Sequence, residues 1–501
     1  MQREHDTPRY DQLIDAYRPI VHLDGVGNLL SWDQQVMMPA GGTPARARQQ
    51  ATVSRLRHER LADPTVGDYL RELGDAELTE IERAAVREIK RQHERAVRVP
   101  TELIEELRQL TAEALPVWEE ARETNDSTGF VPMLEDVIEL KREYAAHIDP
   151  DRDPYEILFE DYEPYLSLDT ADAVLAELRD ALVPILEGIA ESEVTISGEP
   201  LQGEFPIDQQ RSCVEDVLDV LGYDWEHGRI DTSTHPFTSG NPFDSRVTTR
   251  FDPTDLRPGL GATIHEFGHA DYELGLPRDA YGTPLGESRD LTVHESQSRL
   301  WENHVGRSRP FWTFLLPRLA ETFPSLADVS PDAAFAAVNK VYPDNLIRVE
   351  ADELTYHLHI IVRYEIEREV MAGSLDVAEI PAVWNDRYES YLGVRPETET
   401  DGWLQDIHWS SGYFGYFPTY SLGSVLAAQL YGAIERDIGS LDEQLTTGSV
   451  GVIQDWLREA VHHHGCRYPT PELIETATGE SFGADAFIAY VSEKYGELYD
   501  L

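Results

Sequence analysis

His265 and His269 flank Glu266 in the run Ile264-His265-Glu266-Phe267-Gly268-His269-Ala270. Residues four apart on a helix are offset by about 40° and rise about 6 Å, so both imidazoles stand on one face. At that spacing two neutral imidazoles can close on one Zn²⁺, with Glu266 beside the water that the metal holds. The surroundings favour a helix. Leu260, Ile264, Phe267 and Leu274 recur at helical spacing, and Gly275 with Pro277 supplies a stop. Two core histidines that face each other by accident would leave the same pattern, so a third ligand decides much of the rest.

A continuation to a third histidine through x-x-Gly-x-x-His fails, because position 272 is Tyr and position 275 is Gly. The run His294-Glu295-Ser296-Gln297 offers a carboxylate instead. Zinc sites with two histidines often take such a group from a second helix and keep the fourth position for water. Glu295 follows His269 at a distance that allows a turn and a return helix. Its rivals are Glu273, Glu287, Glu302 and His304, and Glu302, on the same helical face, is the main alternative. The tract His462-His463-His464 has the wrong geometry for one ion, since consecutive helical residues point about 100° apart. Gly465 marks a helix end there, where His is favoured anyway.

These groups need a scaffold. Helical patterns run from Tyr10 to Leu73 with one break at Met37-Met38-Pro39-Ala40-Gly41-Gly42, from Glu77 to Arg122, from Phe130 to Ala146, and from Thr170 to Ser192. Asp149 to Leu166, rich in Asp, Pro and Tyr, reads as a connection. The texture changes near Glu193: Val194 to Gly198 and Ile230 to Phe251 look extended. Arg246, Thr248 and Arg250 alternate with Val247, Thr249 and Phe251, the signature of a half-buried strand. Such a strand could be a structural hairpin, or its edge could pair with an extended peptide beside the metal. Helices resume from Pro310. His357 and His359, two apart, point different ways and read as packing residues. Gly402 to Tyr420 mixes aromatics, glycines and polar groups as a pocket lining does. Tyr416 and Tyr420 there could each donate an O–H to an oxyanion, or simply pack. The segment from Leu422 onward is helical.

At 501 residues, the chain exceeds what one simple core usually holds, so two lobes are expected. The expected organisation is one catalytic domain over 1–501, with a helical scaffold part over about 1–192 and a metal and substrate-site part over about 193–501. Ninety-three acidic against 42 basic residues give a net charge of −51. Lys90, Lys141, Lys340 and Lys494 are the only lysines. Such a surface repels nucleic acid and anionic membranes, so neither is an expected partner. It suits a cytosol of molar salt, where charge is screened within about 3 Å. Cys213 and Cys466 form no C-x-x-C pattern and suggest neither a disulfide framework nor a thiolate site. With no secretory pattern at the start and no apolar run of spanning length, a soluble cytoplasmic protein is expected.

Several blocks together resemble the Taq-type thermostable metallocarboxypeptidases. They are Trp32-Asp33 with Met38-Pro39, Asp244-Ser245-Arg246-Val247-Thr248, His265-Glu266-Phe267-Gly268-His269, His294-Glu295-Ser296-Gln297, Ile347-Arg348-Val349-Glu350-Ala351-Asp352 and Gly402-Trp403-Leu404-Gln405-Asp406-Ile407-His408-Trp409. They stand in the family's order across most of the chain. The resemblance implies a mostly α fold, with two helical lobes around a deep active-site groove and a small β-sheet next to the zinc helix. It implies one Zn²⁺ (or Co²⁺) per chain and a homodimer. The implied substrates are peptides with a free C-terminus, cut with broad preference but poorly at a terminal proline.

Roles follow as expectations. His265, His269 and Glu295 hold the metal, and Glu266 is the general base. Tyr420 is the first choice for oxyanion donor, with Tyr416 and His235 behind it. Arg348, then Arg246, is the candidate anchor for the terminal carboxylate, through two parallel hydrogen bonds. Each could instead serve a buried ion pair, for instance with Asp352 or Asp244. Gln405, Asp406 and His408 shape the closed end of the groove. The competing functions are an internally cutting oligopeptidase with the same metal site and a peptide-binding protein without turnover, and the intact Glu266 argues against the second.

Overall fold

The computed structural model describes residues 8–501. The N-terminal part is helical: α1 (Pro8–Val36), α2 (Thr43–Leu61), α3 (Pro64–Leu73), α4 (Glu80–Arg98), α5 (Thr101–Thr124), α6 (Phe130–Ile148), α7 (Pro154–Phe159), α8 (Leu168–Glu191) and α9 (Ile207–Leu221). Three of its boundaries differ from the sequence expectation, and each lies at a proline. A second break divides the first helical run, where Asp63 accepts from the Thr65 N–H and Pro64 occupies the first turn. Val99-Pro100 separates α4 from α5. The segment expected as a connection contains α7, capped by Asp153 and opened by Pro154. A capping aspartate before proline starts a helix as readily as proline ends one.

β1 (Gly228–Thr232), β2 (Thr238–Ser239) and β3 (Ser245–Thr249) form a sheet in the order β1-β3-β2, with β1 parallel and β2 antiparallel to β3. Two expectations change here. Val194 to Gly198 joins no strand. β3 is the central strand, so neither of its edges is open to a peptide, and Val247, Thr248 and Thr249 are all buried. Thr248 is covered because the loop before β2 bonds to it: its hydroxyl accepts from the Phe237 N–H at 2.8 Å. The edge strand beside the metal helix is β2.

The remaining helices are α10 (Arg257–Gly275), α11 (Leu291–Arg299), a π-helical turn (Leu300–Gly306), α12 (Arg309–Thr322), α13 (Pro331–Val338), α14 (Thr355–Ala372), α15 (Ile380–Leu392), α16 (Pro418–Ile438), α17 (Asp442–Thr447), α18 (Gly451–Ala460), α19 (Thr470–Thr478) and α20 (Asp485–Tyr499). Two large hydrophobic cores result, one for each lobe. The first joins α5–α8 to α14, α15 and α20, and the second joins α9, the sheet and α10 to α12 and α17–α19. They meet along α16, whose Leu422 and Val425 enter the first core while Leu426 and Leu430 enter the second. Helices α5–α8 therefore share a core with residues 341–425. A third, smaller core holds α1, α3 and α4 together. Cys213 and Cys466 are both free and buried. Among the described residues, no helix is long and apolar enough to cross a membrane.

Candidate active site

α10 and α11 carry the two halves of the metal motif and touch closely because Gly268 has no side chain. A Cβ there would lie 2.5 Å from the Gln297 carbonyl oxygen and 2.6 Å from Ser298 Cα. α16 closes on the other side in the same way, since a Cβ on Gly423 would meet Glu295 Cβ at 2.5 Å. Glu295 is thus held between two helices that glycines allow to approach.

His265 Nε2 and His269 Nε2 lie 3.7 and 3.4 Å from Glu295 Oε2. Tetrahedral ligands on bonds of about 2.0–2.1 Å are separated by roughly 3.4 Å, so the donors are spaced for one small divalent ion. Among the described residues this is the only group of three or more His, Cys, Asp or Glu side chains with metal spacing. The other ring nitrogens are committed elsewhere. His265 Nδ1 bonds Glu302 Oε2 at 2.8 Å, and His269 Nδ1 donates to the His294 carbonyl at 3.1 Å. Those bonds leave each Nε2 free to ligate. Burial, with His294 stacked alongside at 4.6 Å, pushes His269 down to about 4 and keeps it neutral. Burial also opposes charge on Glu295, but Arg299 and the two histidines hold it ionised far below the usual carboxylate range.

The main rival for third ligand, Glu302, therefore sits behind His265 and orients it. It belongs to the π-helical turn, and Arg299 and Arg307 donate to its two oxygens at 3.0 and 2.7 Å. The other rivals stand outside the cluster. Glu273 accepts from His294 Nε2 at 2.9 Å, Glu287 accepts from the Tyr17 hydroxyl at 3.1 Å, and His304 is buried against Tyr431 and Tyr490. His462 bonds Gln297 Oε1, and His357 and His359 are buried against Ser421 and Tyr388.

Glu266 is buried, and burial raises its carboxyl above the usual value. Thr238 Oγ1, on the edge strand β2, lies 2.8 Å from Glu266 Oε2 and orients it. Tyr416 and Tyr420 meet edge to face at 5.2 Å, and burial raises both phenols, so each remains an O–H donor. His235 is exposed on the loop between β1 and β2.

Both candidate anchors are in ion pairs. Arg246 grips Asp244 with Nε and one terminal nitrogen at 2.9 and 2.7 Å, and it stacks on Trp32 of α1. Arg348 donates to Asp406 Oδ1 from Nε and one terminal nitrogen, at 3.1 and 2.7 Å, rather than to Asp352. Asp352 instead accepts the Thr355 N–H at the start of α14. Arg363 also binds Asp406, at 2.5 Å, so two guanidiniums share one carboxylate. The remaining terminal nitrogen of Arg348 reaches the Tyr356 hydroxyl at 3.3 Å, and its guanidinium lies 5.5 Å from the Tyr420 ring. Gln405 accepts the Arg348 N–H at 2.8 Å. His408, which burial pushes down to about 4, packs on Phe417 at 4.5 Å.

The family model for the carboxypeptidase Taq (M32) metallopeptidases matches residues 12–495. The chain belongs to that family. Relatives agree along the whole length. Thermostable carboxypeptidase 1 of Thermus thermophilus is 40% identical over 98% of this chain and 99% of its own. Carboxypeptidase 1 of Bacillus subtilis is 36% identical over 97% of this chain and 98% of its own. The crystal structure of the M32 carboxypeptidase from Deinococcus radiodurans superposes with a TM-score of 0.95 at 38% identity, covering 99% of this chain and 100% of that one. M32 members are metallopeptidases, so a metal is implied, and the His265–His269–Glu295 cage fits one. Thr238, the orienting role of Glu302 and the two packing glycines were missed from sequence. Arg299, four residues after Glu295 and three before Glu302, follows a readable helical pairing rule.

Proposed function

We propose that this M32 protein removes residues one at a time from the free C-terminus of peptides, with broad preference, using His265, His269 and Glu295 as ligands to one Zn²⁺ or Co²⁺. The ion, when bound, supplies a Lewis acid for the scissile carbonyl and for a water molecule. Glu266, aimed by Thr238, takes the water's proton and hands it to the leaving amine. Its raised affinity for a proton suits both halves of that transfer. Tyr420 donates its O–H to the oxygen on which charge develops, with Tyr416 packed edge-on against it and His235 as a further candidate.

The observation that carries the exopeptidase reading is the charge count at Arg348. Two buried guanidiniums, Arg348 and Arg363, face one carboxylate, Asp406, with His408 neutral beside them. One positive charge is left for a substrate terminus, next to the candidate oxyanion donor. Gln405 fixes the Arg348 backbone, and Asp406 and His408 shape the closed end. Arg246 is the second candidate anchor. Asp406 already occupies Nε and one terminal nitrogen of Arg348, so a substrate carboxylate would use the remaining terminal nitrogen beside the Tyr356 hydroxyl. The surface charge supports a cytoplasmic protein of a salt-rich cell, without nucleic-acid or membrane partners, and the family resemblance supports a homodimer. Mass spectrometry of one free-acid peptide during digestion tests the reading. A ladder of single-residue losses from the C-terminus is expected, and internal fragments as first products would overturn it.

A further inference from the structure

A cleft of about 480 Å³ opens between α2, α4 and α5 on one side and residues 287–290, which lead into α11, on the other. Arg57, Arg91, Arg95, Arg108 and Arg289 line it together with Glu88, Asp161, Glu287 and Asp290, five guanidiniums in a chain of net charge −51. Three of these are matched: Arg57 with Asp24, Arg95 with Asp161 and Arg289 with Glu88. Arg91 and Arg108 are in no ion pair among the described residues. Arg91 gives an N–H to the Glu160 carbonyl, and Arg108 gives one to Ser54 Oγ at 2.7 Å. Burial and the adjacent Arg95 push Arg91 below the ordinary guanidinium range, whereas Asp161 lifts Arg95 above it despite burial. Arg91 is thus a largely buried guanidinium in no ion pair of its own, since the carboxylates that act on it, Asp161 and Glu160, are paired with Arg95 and Arg152.

The walls of the cleft connect to the candidate catalytic groups through side-chain contacts, although those groups do not line it. Tyr162 lines it and stands edge-on to Tyr416 at 5.1 Å. Ser288 lines it and donates to Glu273, which holds His294, the residue stacked on His269. An enzyme that removes one C-terminal residue has no use for an extended cleft beyond the cut. Upstream residues of the peptide, about 3.3 Å apart when extended, are its natural occupants.

Resting on the exopeptidase reading above, we propose that this cleft takes acidic side chains of substrate residues upstream of the scissile bond, with Arg91 and Arg108 as their partners. Peptides cut from chains of this composition carry about two carboxylates for every cation, so such substrates are abundant wherever this protein's neighbours share its composition.

Two peptides that differ only in Glu against Gln at the upstream positions provide the test. Amidated, they report binding by fluorescence anisotropy; as free acids, they report kcat/KM. Charge-assisted bonds to guanidinium predict a Glu/Gln ratio of about tenfold or more in both readouts at matched ionic strength. Arg91→Gln with Arg108→Gln should collapse the ratio toward one, and Arg91→Lys should restore part of it. Arg108 is exposed, so Arg108→Glu is safe for the fold and should weaken the Glu peptide selectively. Equal binding of the two peptides to the unaltered enzyme, or a ratio that survives the double substitution, would overturn the proposal. Internal cleavage of both peptides would count against the exopeptidase reading alone, because anisotropy still reads the cleft.

Discussion

His265 is held from two sides, by Glu302 at Nδ1 and by Glu295 in front of Nε2. The same residue type therefore does two jobs, and substitution separates them. Glu302→Gln should lower metal affinity by about 10- to 100-fold while the ligands remain. Glu295→Ala should weaken it further, because a ligand is lost. Glu266→Gln should keep the metal and lose turnover by at least about a hundredfold. Metal content and kcat, measured on the same preparations, distinguish all three. The histidine pair was legible in the sequence, and Glu295 was its first choice for third ligand, but what Glu302 does instead was not. Both lie on one face of an ideal helix, and the π-helical turn that re-aims Glu302 leaves no clear mark in the sequence. A second residue-scale prediction concerns Glu287, whose carboxyl burial and the nearby Asp24 push up to about 7. The folded state then binds a proton that the unfolded state has released between about pH 4.5 and pH 7, so this group costs stability as pH rises through that window. Glu287→Gln, which removes the charge and keeps an acceptor for Tyr17, should gain on the unaltered protein between pH 5 and pH 8, by up to about 3 kcal/mol. Melting curves across that range check the sign.

At the scale of elements, the site depends on how closely α10, α11 and α16 approach. Gly268→Ala drives a Cβ into the backbone of α11, and Gly423→Ala drives one into the Glu295 side chain. Overpacking of this kind costs about 1–3 kcal/mol, and here it also moves a ligand. Both variants should melt earlier and bind metal more weakly. A normal metal affinity in Gly268→Ala would mean that the helices need not touch this closely. The helices themselves were readable from periodicity and caps, apart from short ones opened by an aspartate and proline. The sheet was readable as extended chain but not as topology. Nothing in β3's alternation indicates that β2 would cover one edge and β1 the other, or that Thr238 on β2 would steady Glu266.

For the whole molecule, the net charge of −51 sets the conditions under which the fold is stable. Like charges on one surface repel until they are screened, and the screening length falls to about 3 Å at 1 M salt. The melting temperature should therefore rise from dilute buffer toward molar KCl, and a flat profile would remove the salt-adaptation reading. The two-lobe architecture was legible in outline from length and helical pattern. Its division was not, because α16 serves both cores and residues 341–425 complete the core begun before 192. The account's central claim is that this assembly reads a free C-terminus, and one ratio tests it most directly: kcat/KM for a peptide acid over that for its amide. An amide leaves the excess positive charge at Arg348 and Arg363 unmatched, which costs several kcal/mol. The predicted ratio is at least about a hundredfold, at about 1.4 kcal/mol per tenfold. Arg348→Ala should narrow it. Equal rates for acid and amide, with cleavage at an internal bond, would contradict the claim.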